Sequence, residues 1–218
     1  MESMKHSQVS GIYAITPQTE DTAGLVTKVA AALAGGVRLV QYRNKTGSAR
    51  LRRAQCGALV ERLRDVNGTL IVNDDSRLAV DVDADGVHLG KDDDSLADAR
   101  RRLGVDRIIG VSCYNDLARA RALQAAGADY VAFGSFFPSI TKPGAVCAPL
   151  DLLSRAKTEL SVPVVAIGGI NKDNAIKLIE RDADALAVLS ALFCVDDVEE
   201  EARVLTSLMA NRDLQLQY

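Results

Sequence analysis

Gln41, Arg43 and Lys45 stand at alternate positions in the run Gln41-Tyr42-Arg43-Asn44-Lys45. At the end of a β-strand, such alternation presents all three on one face. A guanidinium beside an ammonium suits a cluster of anionic oxygens, and a carboxamide can read a neutral ring through its donor and its acceptor. Taken alone, the run also reads as a solvated basic loop. Carboxylates follow in two further runs, Asn73-Asp74-Asp75 and Gly90-Lys91-Asp92-Asp93-Asp94. If consecutive strands lead into them, Asp74 and Asp93 sit at the ends of neighbours roughly 4.8 Å apart and converge. Two carboxylates in one small site repel unless a cation lies between them. Oxygen donors opposite a phosphate suit Mg2+, with waters filling its sphere. Spacing does not choose this pair over its neighbours, because Asp75 and Asp94 also fit as helix caps or surface acids.

Four more segments carry polar chemistry. Gly110-Val111-Ser112 ends an apolar run, where Ser112 can donate to a phosphate oxygen or satisfy a strand-end carbonyl. The stretch from Gly134 to Ala145 sets Ser139, Thr141 and Lys142 among prolines and glycines. It is long for a plain connector and suits a mobile phosphate-binding lid. Gly168-Gly169 and Leu189-Ser190 follow two late apolar runs. Glycines there let backbone N–H groups approach an anion. No Gly-x-Ser-x-Gly elbow is present, so a hydrolase nucleophile is not expected. His88 lies inside an apolar run and reads as an interior histidine rather than a base, and Tyr13 as interior packing. Phe136 and Phe137 read as wall or lid.

The elements that must hold these residues repeat along the chain. Eight short apolar runs begin at Gly11, Val37, Thr69, Gly86, Arg107, Tyr130, Pro163 and Ala185. Near-continuous apolar runs of this length suit strands buried on both faces, as in a parallel sheet. Between them lie amphipathic stretches read as helices: 21–35, 48–66, 75–80, 95–103, 115–126, 171–181 and 196–210. Ser95 and Asn115 are the expected caps of two of them. Eight uninterrupted β-then-α alternations predict a single-domain α/β (β/α)8 TIM barrel over 11–212; an open doubly wound sheet usually has five or six strands. Residues 1–10 read as a disordered tail and 213–218 as a C-terminal tail. In a barrel, the ends of the strands are where the site belongs, and the loops after strands 7 and 8 are the usual phosphate site.

Composition narrows the classes. The chain has 218 residues, with 26 basic against 29 acidic side chains and a net charge of −3. Nothing here marks a nucleic-acid binder. No run of 18 apolar residues predicts a membrane span. The four cysteines, Cys56, Cys113, Cys147 and Cys194, have no metal or redox spacing. They read as free thiols in a reducing cytoplasm. No feature points to an obligate protein partner.

Taken in order, these pieces resemble the thiamine-phosphate synthase family. The resemblance runs from Tyr13-Ala14-Ile15-Thr16 to Ser190. It rests on Gln-x-Arg-x-Lys at 41–45, Asn73-Asp74, Val-His-Leu-Gly before Asp93, Gly-Val-Ser at 110–112, the Pro-Ser-x-Thr-Lys loop and Ala-Ile-Gly-Gly-Ile. The resemblance implies a (β/α)8 transferase that condenses 4-amino-5-hydroxymethyl-2-methylpyrimidine diphosphate with 4-methyl-5-hydroxyethylthiazole phosphate, releasing pyrophosphate. It implies that the 41–45 segment (Gln41, Tyr42, Arg43, Asn44, Lys45) holds the pyrimidine diphosphate, with Asn73, Ser112 and Lys142. It selects Asp74 and Asp93 from the acidic runs as Mg2+ ligands. It assigns Ser139, Ile140 and Thr141, with Gly169, Leu189 and Ser190, to the thiazole phosphate. Arg43, Lys45 and Lys142 become the catalytic cations. One departure is visible: the family loop often has threonine where Ser139 stands, and serine keeps the oxygen. Two alternatives follow from the same residues. A thiazole tautomerase paralogue would need neither the diphosphate grip nor the metal pair, and a non-catalytic phosphate-binding barrel would bind without turnover.

Overall fold

The computed structural model describes residues 2–138 and 147–215. Among them, eight strands form a closed parallel barrel in chain order: β1 Gly11–Ile15, β2 Leu39–Tyr42, β3 Thr69–Asn73, β4 Gly86–Leu89, β5 Ile108–Tyr114, β6 Tyr130–Gly134, β7 Val164–Ile167 and β8 Ala185–Val188. β8 pairs with β1 to close the ring, through Ala187 against Tyr13. Each predicted apolar run coincides with one strand, and β5 continues past its run to Tyr114.

Helices alternate with the strands: α1 Glu2–Gln8, α2 Thr22–Ala34, α3 Ala49–Arg64, α4 Ser76–Asp81, α5 Leu96–Leu103, α6 Leu117–Ala125, α7 Asp151–Glu159, α8 Ile176–Ile179, α9 Ser190–Phe193 and α10 Val198–Gln215. Asp21, Ser48, Asp75 and Ser95 cap their helices by accepting from backbone N–H groups of the first turn. Four expectations need correction. Asp116, not Asn115, caps α6, accepting from Arg119 N. α7 was not foreseen. Of 171–181, only Ile176–Ile179 is α-helix; Asn171 and Asn174 bond to nearby backbone N–H groups and hold the rest as turns. Residues 2–8 of the expected disordered tail form α1, whose Lys5 pairs with Asp129 at 3.2 Å.

Period-two alternation divides the core. Leu70, Val72, Val87, Ile109, Val131 and their equivalents face the helices. Tyr13, Ile15, Leu39, Ile71, Ile108, Tyr130, Val165 and Ala187 fill the barrel. Val9 joins them from below, fully buried. Below the strands one device recurs. Asp85, Asp129 and Asp184 each precede an even-numbered strand. Their carboxylates accept from the backbone N–H of Leu70, Ile109 and Val164, each at 2.7 Å, and their own N–H groups donate to the carbonyls of the same three residues. Each clasp ties β3 to β4, β5 to β6 or β7 to β8.

Candidate active site

The strand ends gather most of the predicted residues at one mouth. Near the end of β2, Gln41 faces the barrel interior, and its Nε2 donates to Tyr13 Oη at 2.9 Å. Lys45, two positions past Arg43, reaches Asp74 with Nζ–Oδ2 2.9 Å. Arg43 lies between them, half-buried, its backbone N–H held by Thr16 Oγ1. Gln41 and Lys45 thus meet groups of the barrel interior and its mouth, while Tyr42 and Asn44 are held elsewhere. Tyr42 is buried on the helix side, its hydroxyl on Gln55 Oε1 at 2.8 Å. Asn44 spends its carboxamide on Thr19 O, Gln55 Oε1 and Gly47 N. Both side chains are thus engaged within the protein.

Asp74 follows β3 in the left-handed region, φ 65°, a conformation an aspartate tolerates better than most residues. Its N–H donates to His88 O on β4. The turn brings its carboxyl to Asp93, which closes onto Gly90 N at 2.6 Å. Burial pushes the Asp93 carboxyl up from the ordinary range. A hydrogen bond shared with Asp74 adds to that, while the Gly90 N–H and Lys45 oppose it. Asp74 and Asp93 therefore adjoin, and Asp75 and Asp94 are engaged elsewhere. Asp75 caps α4 and pairs with Arg52; Asp94 pairs with Arg102. Asn73 occupies the same interior-facing phase as Ile71 at the end of β3, opposite His88.

Ser112 sits where β5 shifts register against β6, and strand irregularities often re-aim side chains beside active sites. Its Oγ lies 2.9 Å from His88 Nε2, and His88 Nδ1 lies 2.9 Å from Tyr130 Oη. Tyr130 in turn meets Tyr13 Oη at 2.8 Å. His88 is the satisfied interior histidine expected. Its burial drives the imidazole down to about 4, against a smaller pull from Asp74, so it is neutral near pH 7. Burial likewise pushes the Tyr13 and Tyr130 phenols well above their usual range, and both stay protonated. Tyr130 escaped the sequence reading. The signal was a hydroxyl inside an apolar strand, which must find a partner once buried.

β7 and β8 pair side by side, so the loops after them adjoin. Gly168 and Gly169 have φ of 108° and 62°, and a Cβ on Gly169 would lie 2.3 Å from Pro138 O. The segment after β6 therefore runs against this glycine turn, with Phe137 N donating to Gly168 O. Leu189 packs against the interior cluster, and Ser190 opens α9. Phe136 is buried wall. Ser139, Ile140, Thr141 and Lys142 lie outside the described residues.

Fold and mouth define a class: a (β/α)8 barrel whose strand ends gather cations, carboxylates and a hydroxyl for an anionic ligand. Within that class, residues 12–192 match the family described as thiamine monophosphate synthase, and the chain belongs to it. It is 54% identical over 200 residues to the thiamine-phosphate synthase of Thiobacillus denitrificans, covering 92% of this chain and 95% of that one. It is 50% identical over 201 residues to that of Nitrosospira multiformis, covering 92% and 86%. Among solved structures, thiamine phosphate pyrophosphorylase from Pyrococcus furiosus matches with a TM-score of 0.85 at 32% identity, over 96% of this chain and 98% of that one.

Proposed function

We propose that this chain is a transferase that condenses 4-amino-5-hydroxymethyl-2-methylpyrimidine diphosphate with 4-methyl-5-(2-hydroxyethyl)thiazole phosphate, giving thiamine monophosphate and pyrophosphate. One observation carries the reading: Lys45, Asp74 and Asp93 meet at the mouth of a family member, beside the buried carboxamide of Gln41. Gln41 reads the pyrimidine. Arg43, Lys45 and Lys142 face the diphosphate, with Asn73 and Ser112 as neutral donors. The turn at Gly169, with Leu189, Ser190 and the Ser139–Ile140–Thr141 segment, takes the thiazole phosphate.

The donor set fits Mg2+. Asp74 and Asp93 offer hard carboxylate oxygens close enough to share a proton, and no third His, Cys or carboxylate joins them among the described residues. Such a pair suits an ion that keeps waters and takes phosphate oxygens. Held there, Mg2+ would offset negative charge on the diphosphate.

The chemistry asks little else of the protein. The bond between the pyrimidine methylene carbon and the diphosphate oxygen breaks, and its electron pair leaves with pyrophosphate. The lone pair of the thiazole nitrogen then forms the new C–N bond to the pyrimidine cation. That nitrogen carries no proton, so no general base is needed. The work of the side chains is to stabilise charge on the leaving group. No helix among the described residues is long and apolar enough to cross a membrane, and we assign the reaction to the cytoplasm.

The test is pyrophosphate release with both purified substrates, in Mg2+ and in EDTA. Metal-dependent release that needs both substrates is expected. Binding of thiazole phosphate without release would turn the reading toward a tautomerase or a binding module.

A further inference from the structure

A continuous line of hydrogen bonds crosses the barrel beneath the mouth. It runs from Gln41 Nε2 to Tyr13 Oη (2.9 Å), Tyr130 Oη (2.8 Å), His88 Nδ1 (2.9 Å), and from His88 Nε2 to Ser112 Oγ (2.9 Å). Gln41, Tyr13, Tyr130 and His88 are all buried. Each middle member has a single proton to give, and proton count makes the line directional. An amide nitrogen only donates, so Tyr13 accepts from Gln41 and must donate onward to Tyr130. Tyr130 then donates to His88 Nδ1. A neutral imidazole with Nδ1 accepting carries its proton on Nε2, which donates to Ser112 Oγ. The serine's own proton is left to donate into the mouth. One other order satisfies every link without leaving a buried hydroxyl proton unpaired. With the Gln41 amide turned so that Oε1 faces Tyr13, each donor becomes an acceptor. His88 then carries its proton on Nδ1, and Ser112 donates inward to Nε2.

We propose that Tyr13, Tyr130 and His88 are positioning residues that couple the two ends: which way round Gln41 holds its amide sets whether Ser112 can donate to an anionic oxygen of the substrate. A ligand ring that presents an N–H to Gln41 Oε1 favours the order in which Ser112 donates outward. A ring that presents an acceptor turns the amide over and withdraws that donor. On the function proposed above, on which this consequence rests, a 4-aminopyrimidine diphosphate meets both ends correctly. A 4-oxo analogue loses at the ring and again at the diphosphate, although the two contacts lie at opposite ends of the line.

The test reads His88 directly and needs no substrate, so it stands or falls apart from the pyrophosphate assay. The chain has two histidines, and His88→Gln assigns the resonances. Nitrogen-15 NMR of the free full-length protein should find His88 as the Nε2–H tautomer. Gln41→Glu, followed to pH 9 so that the new carboxyl is ionised and only accepts, should shift the tautomer ratio toward Nδ1–H by about ten-fold, the scale of one buried hydrogen bond. Repeating Gln41→Glu in a Tyr130→Phe background, which keeps the ring and removes one oxygen, should abolish that shift. If Tyr130→Phe does not fold, Tyr13→Phe cuts the line one link earlier. A wild-type Nδ1–H tautomer, no response to Gln41→Glu at pH 9, or a response that survives the cut would each overturn the proposal.

Discussion

Gly110 lies under the ring of Tyr130, and the structure lets the cost of an added methyl be worked out. A Cβ there would stand 1.9 Å from Tyr130 Cζ, 2.1 Å from Cε1 and 2.4 Å from Cε2. Carbon atoms pack at about 3.5–4.0 Å, so the ring would have to retreat by roughly 1.5 Å. The ring is fully buried, and its hydroxyl is held at 2.8 Å by Tyr13 and 2.9 Å by His88. A retreat of that size breaks at least one of these bonds. Overpacking costs about 1–3 kcal/mol and a buried polar group left unmade about 1–3 kcal/mol more. Gly110→Ala should therefore lose about 2–6 kcal/mol, a large share of the roughly 5–15 kcal/mol of a typical domain. Urea unfolding followed by far-ultraviolet circular dichroism measures it as a lower midpoint. Gly57→Ala is the matched control: it sits in α3 with no heavy atom near its new methyl, and should gain up to about 1 kcal/mol. Trimming the ring in Gly110→Ala/Tyr130→Leu should cost less than the two single changes summed. A Gly110→Ala protein within about 0.5 kcal/mol of wild type at unchanged slope would refute the reasoning.

Three other outcomes are expected. His88 ionises near 4 in the folded protein against about 6.5 unfolded, so the unfolded chain alone takes up this proton between those values. Stability should fall as pH drops from 6.5 toward 4, by up to about 3 kcal/mol from this residue; the slope of unfolding midpoint against pH should flatten in His88→Gln. Asp74→Ala and Lys142→Ala should each lower the rate of pyrophosphate release by on the order of 10²–10³, the scale of one preorganised charge-stabilising group; normal turnover in both would remove their assigned roles. Asp129→Ala loses partners at Ile109 N, Arg100 and Lys5 below the barrel. It should cost about 2–4 kcal/mol in denaturant unfolding with turnover per folded molecule intact.

The strands were legible because a sheet buried on both faces demands near-continuous apolar runs, and all eight runs carried that mark. The same period of two already sets Tyr42 and Asn44 on the opposite face from Gln41 and Lys45, where Gln55 engages both; the family resemblance takes the whole 41–45 run as one segment. α7 was hidden because Leu150 holds its cap position and offers no side-chain hydrogen bond, so no residue type announces it. α1 was hidden for another reason: its anchor, Lys5 on Asp129, is distant in sequence. Spacing alone did not separate Asp74 and Asp93 from their neighbours; the resemblance picked them, and only packing shows that Asp75 and Asp94 are engaged by α4, Arg52 and Arg102. The line from Gln41 to Ser112 joins five strands, and no local pattern contains it.

The three aspartate clasps divide the labour of the molecule along its axis. Ala84-Asp85, Ala128-Asp129 and Ala183-Asp184 are one design used three times, each closing a strand–helix–strand unit at its entry end. At the exit end no two strands carry the same residues. Assembly therefore rests on a repeated floor, and chemistry on an unrepeated roof. In such a barrel the loops above can differ from unit to unit while the joints that set strand order stay the same, which is how one architecture can carry different chemistries.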